Sequence, residues 1–175
     1  MKKAMMIVLV MLVAAPLSWA AAETPKKGGS LVICVGDEPP GLDPTASASA
    51  AIDRVVYSNI FEGLVKIDRD GKLVPGLALR WELSADAKVY TFHLRKGVKF
   101  HNGDPFNAQA AKWNLERGAA EGTKNAHPEF FRVIEKIETP DDATLKLTLK
   151  EVDALFLFRM AEGDAVMLPM KGFEN

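Results

Sequence analysis

The chain has a single cysteine, Cys34, so no internal disulfide can staple it. Either Cys34 is a small buried apolar residue, or its partner lies outside this chain. Histidines are almost as scarce. His93, His101 and His127 lie far apart, and a zinc site wants closely spaced ligands. No metal site and no cofactor are expected. Basic residues never gather into a block: 22 Lys and Arg face 23 Asp and Glu, a net charge of −1. That balance leaves no electrostatic footprint for nucleic acid or an anionic membrane. No G-x-S-x-G string marks a nucleophile elbow, and Gly28-Gly29 is not followed by the Lys-Ser/Thr of a phosphate cradle. Asp141-Asp142 falls in a turn. Nothing supports catalysis, and the chain is not expected to be an enzyme.

One long apolar run is present, and it is an address. Lys2 and Lys3 precede the stretch Ala4 to Ala15, which Pro16 and Leu17 close. Small residues then fit two cleavage sites, after Ala20 or after Ala22. This is the three-part pattern of a secretory signal peptide, and the run is too short to span a bilayer. No cysteine directly follows it, so a lipoprotein is not expected. The expected mature protein starts near residue 23, is free in the periplasm, and carries a net charge of −3 once Lys2 and Lys3 are gone.

The remainder, 23–175, reads as mixed α and β without a regular βαβ rhythm. Leu31 to Val35 is a short apolar run, expected as a strand buried on both faces. Gly36 to Thr45 is dense in Pro, Gly and Asp and reads as a loop. Ile52, Val55, Val56, Ile60 and Phe61 recur at helical spacing, with Gly63 suited to the helix end. Val65 to Val74 reads as a hairpin around Asp70-Gly71. Tyr90, Phe92 and Leu94 alternate with Thr91, His93 and Arg95, a half-buried strand. Asn107 is a candidate N-cap for a helix to about Arg117, ended by Gly118. The stretch from Ala119 to Pro128 is polar and expected to be mobile. A second hairpin spans Val133 to Glu138 and Ala143 to Lys150 around Thr139 to Asp142. Ala154 to Met160 reads as a short helix. The aromatic residues are expected to build the core, with Trp113 and Phe106 as candidates to line a cleft.

Particular strings go further. Gly28-Gly29-Ser30-Leu31, Gly41-Leu42-Asp43-Pro44 and Ile60-Phe61-Glu62-Gly63-Leu64 occur in that order. Leu73-Val74-Pro75-Gly76-Leu77-Ala78 and Trp81-Glu82 follow. The stretch Tyr90 to Gly103, with Pro105-Phe106-Asn107-Ala108, is the most specific. Together they resemble the start of family 5 extracellular solute-binding proteins, the dipeptide, oligopeptide and nickel receptors of ABC importers. The resemblance implies a two-lobed clamp of the periplasmic binding protein-like II type. Here 1–22 would be the signal peptide and 23–175 a truncated N-terminal portion, the start of one lobe plus a family-specific subdomain.

It further implies a monomeric receptor that captures a peptide or other small solute and delivers it to an ABC permease of the inner membrane. Nickel chelates, opines or sugars are alternative ligands. A secreted hydrolase is the reading from another class, and a bare adaptor fragment is the last. The family also allows Cys34 a disulfide partner beyond Asn175. Within the chain, the expected ligand-facing segment is the small-residue tract Ser47, Ala48, Ser49, Ala50, Ala51 and Ile52. Small side chains let a ligand approach the backbone, and N–H groups at a helix start can meet a carboxylate. Asp37 and Glu38 are candidates to hold a ligand amine.

Overall fold

A computed structural model of the chain describes residues 27–47, 49–57 and 59–173. The expected signal peptide and Ala48 lie outside the described residues. The chain divides into two units, Met1–Cys34 and Val35–Asn175. In the first, the expected strand is absent. Leu31, Val32 and Ile33 are exposed, Val32 to 88%, and Cys34 is exposed as a free thiol. The buried strand expected here is therefore corrected, and so is the reading of Cys34 as a buried apolar residue. A strand forms only where another backbone supplies its hydrogen bonds, and this run joins none among the described residues.

The second unit is built on a four-stranded antiparallel sheet. Its strands are β3 (Ala78–Leu83), β4 (Val89–Leu94), β5 (Ile134–Asp141) and β6 (Thr144–Leu149), in spatial order β3-β4-β6-β5. The two central strands carry the strictest alternation in the sequence. Tyr90, Phe92 and Leu94 of β4 are buried, as are Leu145, Leu147 and Leu149 of β6. The register sets Tyr90 opposite Leu147 and Phe92 opposite Leu145, so the two apolar rows meet on one face. Each such side chain contributes roughly 1.5–3 kcal/mol on burial. Helix α2 (Ala108–Ala119) adds Ala108, Ala110, Ala111 and Leu115 to the same core. Asn107 caps it, its Oδ1 accepting the Ala110 N–H at 3.0 Å. Phe131, Phe156 and Met160 join the cluster, from and beside α3 (Glu129–Arg132) and α4 (Phe156–Arg159).

The first hairpin forms as expected, from β1 (Val65–Ile67) and β2 (Leu73–Pro75), with a turn in which the Gly71 N–H bonds the Asp68 carbonyl. Three expectations shift. The helix expected to run to Phe61 is α1 (Ala50–Val55), six residues long. Past Val56 the backbone turns into a bridge between Tyr57 and Phe61. Gly118 lies inside α2 rather than ending it, because a Cβ there would meet the Phe131 ring at 2.9 Å. The stretch after α2 is tied down rather than loose: Asn125 is buried, and the Ala126 N–H bonds the Thr45 carbonyl at 2.8 Å.

Candidate functional site

The loop Gly41 to Ser49 and the segment Ala161 to Asp164 come together through a chain of polar contacts. Asp43 starts a short 3-10 turn, Pro44–Ala46, by accepting the Thr45 N–H at 2.9 Å and the Thr45 hydroxyl at 2.6 Å. Arg117 of α2 reaches the same two residues. Its Nη2 lies 3.2 Å from Asp43 Oδ2, and its Nη1 donates to Thr45 Oγ1 at 3.0 Å. Burial makes this charge-assisted pair a fixed anchor, since breaking one side strands the other charge. The turn then delivers Ser47 to the surface.

Across from Ser47, Asn125 Nδ2 donates to the Asp164 carbonyl at 3.1 Å, and Asn125 Oδ1 accepts the His127 N–H at 2.9 Å. These two bonds hold His127 against Asp164, with Nδ1 2.7 Å from Oδ2. Asp164 is 8% exposed and the His127 side chain 35%. Hydrogen bonding to the Asp164 carboxylate holds the His127 pKa above its ordinary value; desolvation opposes this, and the charges of Asp164, Glu129 and Glu162 add to it. The imidazole also stacks on Phe130, ring centres 4.8 Å apart and 10° from parallel. Tyr57 donates its hydroxyl to the Ala161 carbonyl.

These groups surround a surface pocket of about 370 Å³, lined by Ser47, Tyr57, His127, Glu162 and Asp164 with Pro44 and Ile67. A serine and a His–Asp pair thus share one cavity. Among the described residues no hydrogen bond joins Ser47 to His127; Ser47 Oγ instead accepts the Ser49 N–H at 3.2 Å. The contact between nucleophile and base that acyl transfer requires is not made. Two other depressions differ in kind. One, about 140 Å³, is mostly apolar, lined by Ile60, Phe61, Val98, Phe100 and Phe106. The other is an open groove of about 850 Å³ past the ends of β4 and β6, with Arg95 and Lys96 facing Asp141 and Asp142. Among the described residues no cluster of three or more His, Cys, Asp or Glu is placed to hold a metal.

The residues expected from the sequence scatter. Ser47 reaches the pocket. Ser49 caps α1, its Oγ accepting the Ala51 N–H at 3.3 Å, so that helix start spends its donor internally. Ala51 and Ile52 are buried, Ala50 is exposed, and Ala48 is outside the described residues. Asp37 and Glu38 are exposed and line none of these cavities. Phe106 is buried yet lines both the apolar depression and the open groove, as expected of a cleft residue, whereas Trp113 is half-buried, lines none of these cavities and has Arg117 5.9 Å over its ring. Sequence reading missed His127 and Asp164. They are 37 positions apart, and no local pattern pairs them.

The polar pocket thus sits on a mixed α/β unit built around an antiparallel sheet. The description "Bacterial extracellular solute-binding proteins, family 5 Middle" matches residues 72–173, and the chain belongs to that family. The glutathione-binding protein GsiB of Pectobacterium atrosepticum is 37% identical over 157 residues, covering 90% of this chain and 29% of the relative. The solved structure of the PBP AgaA from A. tumefaciens in complex with agropinic acid is 38% identical at a TM-score of 0.70. That match covers 75% of this chain and 26% of the other. Haemophilus influenzae OppA in complex with RPPGFSPFR is 29% identical at a TM-score of 0.71, covering 78% and 30%. The chain thus spans less than a third of the proteins it matches.

Proposed function

We propose that the chain is part of the substrate-binding component of an ABC importer, one that captures di- or oligopeptides and delivers them to a permease of the inner membrane. Family membership, with a polar pocket built on the loop that follows Gly41-Leu42-Asp43-Pro44, carries the reading. Similarity to a glutathione-binding protein and to OppA in complex with a nonapeptide supports a peptide-like ligand. AgaA in complex with agropinic acid, at 38% identity, favours a second reading, a small acidic solute of another kind. The role is capture rather than catalysis, and membership of a solute-binding family supports it.

The site of action is the periplasm, after removal of residues 1–20 or 1–22 and without a lipid anchor. No helix among the described residues is long and apolar enough to cross a membrane. Expression with its own N-terminus in a Gram-negative host tests this. The secreted protein should begin at Ala21 or Glu23; retention of Met1 would refute cleavage. Ligand class is tested by native mass spectrometry and by a binding panel of dialanine, trialanine, glutathione and agropinic acid. Peptide binding is expected, and a response to agropinic acid alone would sink the peptide reading.

A further inference from the structure

Of the chain's asparagines, Asn102 alone is followed by glycine. The pair lies in the turn between Phe100 and Asp104, and both Asn102 and Gly103 are exposed. An asparagine amide is a labile group, and here its own backbone can attack it. Gly103 has no Cβ to obstruct the approach of its nitrogen to Asn102 Cγ. We propose that Asn102 is a self-modification site, converted through a cyclic imide to aspartate and isoaspartate, and that Asp104 is the restraint that slows the reaction in the folded chain.

The chemistry needs only water. A bond forms between the Gly103 nitrogen and Asn102 Cγ. The Cγ–Nδ2 bond breaks, and Nδ2 leaves as ammonia with the hydrogen that Gly103 released. Water then opens the imide at either carbonyl carbon; the hydroxyl goes to that carbon and the hydrogen returns to the nitrogen. Opening at Cγ leaves aspartate on an unaltered backbone. Opening at the backbone carbonyl leaves isoaspartate, which carries an extra carbon into the main chain.

The turn resists the first step at three atoms. Asn102 Oδ1 accepts the Asp104 N–H at 3.0 Å, and Asn102 Nδ2 donates to Asp104 Oδ2 at 2.9 Å. The leaving Nδ2 and the rehybridising Cγ must abandon these bonds, and the one to the carboxylate is charge-assisted. The Gly103 N–H, which must lose its hydrogen, donates to the Phe100 carbonyl at 2.9 Å. The position gives the modification a consequence. Phe100 and Phe106, on either side of the turn, meet edge to face with ring centres 5.9 Å apart, and both line the apolar depression. The aspartate product sets a second carboxylate against Asp104 where an amide had donated, and like charges repel. The isoaspartate product lengthens the turn itself. Either loosens the seat of the two rings.

The test is incubation of the whole chain at mildly alkaline pH, folded or in guanidinium chloride, with Asn102 followed by peptide mapping. Exchange of NH2 for OH gives the mass change, and fragmentation separates isoaspartate from aspartate. In denaturant Asn102 should react faster than any other asparagine. Folding should slow it at least about tenfold, the factor that one hydrogen bond to a charged group supplies. Asp104→Ala should recover about tenfold in the folded chain. Asp104→Asn keeps an acceptor oxygen but makes a neutral bond about half as strong, so it should recover about threefold. The modified fraction, separated by its added negative charge, should melt below the parent. Equal rates in folded and unfolded chains, another asparagine outpacing Asn102 in denaturant, or an unchanged melt of the modified fraction overturns the proposal. If Asp104→Ala fails to melt cooperatively, Asp104→Asn decides, and a rate equal to the parent's removes Asp104 as the restraint.

Discussion

Asp164 is nearly buried while His127 stands half out of the protein, so one proton on His127 is felt by the fold. The sign follows from linkage. Its folded pKa is raised above the unfolded value by the Asp164 carboxylate. The stabilisation is fully present below the unfolded histidine pKa of about 6.5, and is lost as pH rises through the folded value. His127→Gln keeps an amide donor but has no charge to gain. Melting curves of the two proteins should differ most at about pH 5 and converge by about pH 9; a constant gap would show that the pair contributes packing alone. Asn114 is a buried residue whose amide nitrogen and oxygen are both engaged. Its Nδ2 donates to the Ala110 and Leu168 carbonyls, and its Oδ1 accepts the Leu168 N–H, all at 2.9 Å. The side chain serves buried Leu168 as a strand neighbour would. Asn114→Leu leaves that N–H and carbonyl unpaired, which costs about 1–3 kcal/mol, read as a lower urea midpoint with an unchanged slope.

At the scale of elements, local pattern predicted structure wherever the pattern alone sufficed. The alternation of Tyr90, Phe92 and Leu94, and of Leu145, Leu147 and Leu149, named both central strands and their buried faces. Asn107 marked the start of α2 because capping is decided within one turn. Pro140 was read as part of a turn yet lies in β5, an edge strand, where the missing N–H costs no ladder bond. The failures depend on what lies far along the chain. Leu31 to Val35 has strand composition without a strand partner among the described residues, and His127 with Asp164 has a partner without a signature.

Gly118 is the clearest failure. Sequence read it as a terminator, whereas it is the seat for Phe131, and α2·α3 packing depends on it. Gly118→Ala removes a glycine that costs a helix up to about 1 kcal/mol. It also drives a Cβ to 2.9 Å from the Phe131 Cγ and Cδ2, atoms close to the backbone that have little room to retreat. Overpacking of this kind costs about 1–3 kcal/mol, so net destabilisation is expected in chemical denaturation. Adding Phe131→Leu should recover part of it; a Gly118→Ala protein more stable than the parent would refute the packing role.

At the scale of the molecule, the two kinds of apolar surface are handled differently. The four-stranded sheet ends in edges β3 and β5, and both carry their own protection. Arg80 and Glu82 pair along β3, Lys136 and Glu138 along β5, and Pro140 interrupts the latter. Charge and proline are what keep an open edge from recruiting another chain. Leu31 to Val35 has neither. Five consecutive residues of high strand propensity, uncharged and without proline, match the composition that self-pairs, and Leu31, Val32 and Ile33 are among the most exposed apolar residues described. Wild-type protein at micromolar concentration should therefore scatter light increasingly with time, and Ile33→Lys should suppress the rise at least severalfold while leaving the melting temperature of the sheet unit unchanged. The exposed Cys34 thiol offers a control, because disulfide-linked dimers would also scatter. If Cys34→Ser abolishes the rise and Ile33→Lys does not, thiol oxidation is the cause and the strand hypothesis fails. If the rise persists under reducing conditions and falls only with Ile33→Lys, the apolar run is the adhesive segment.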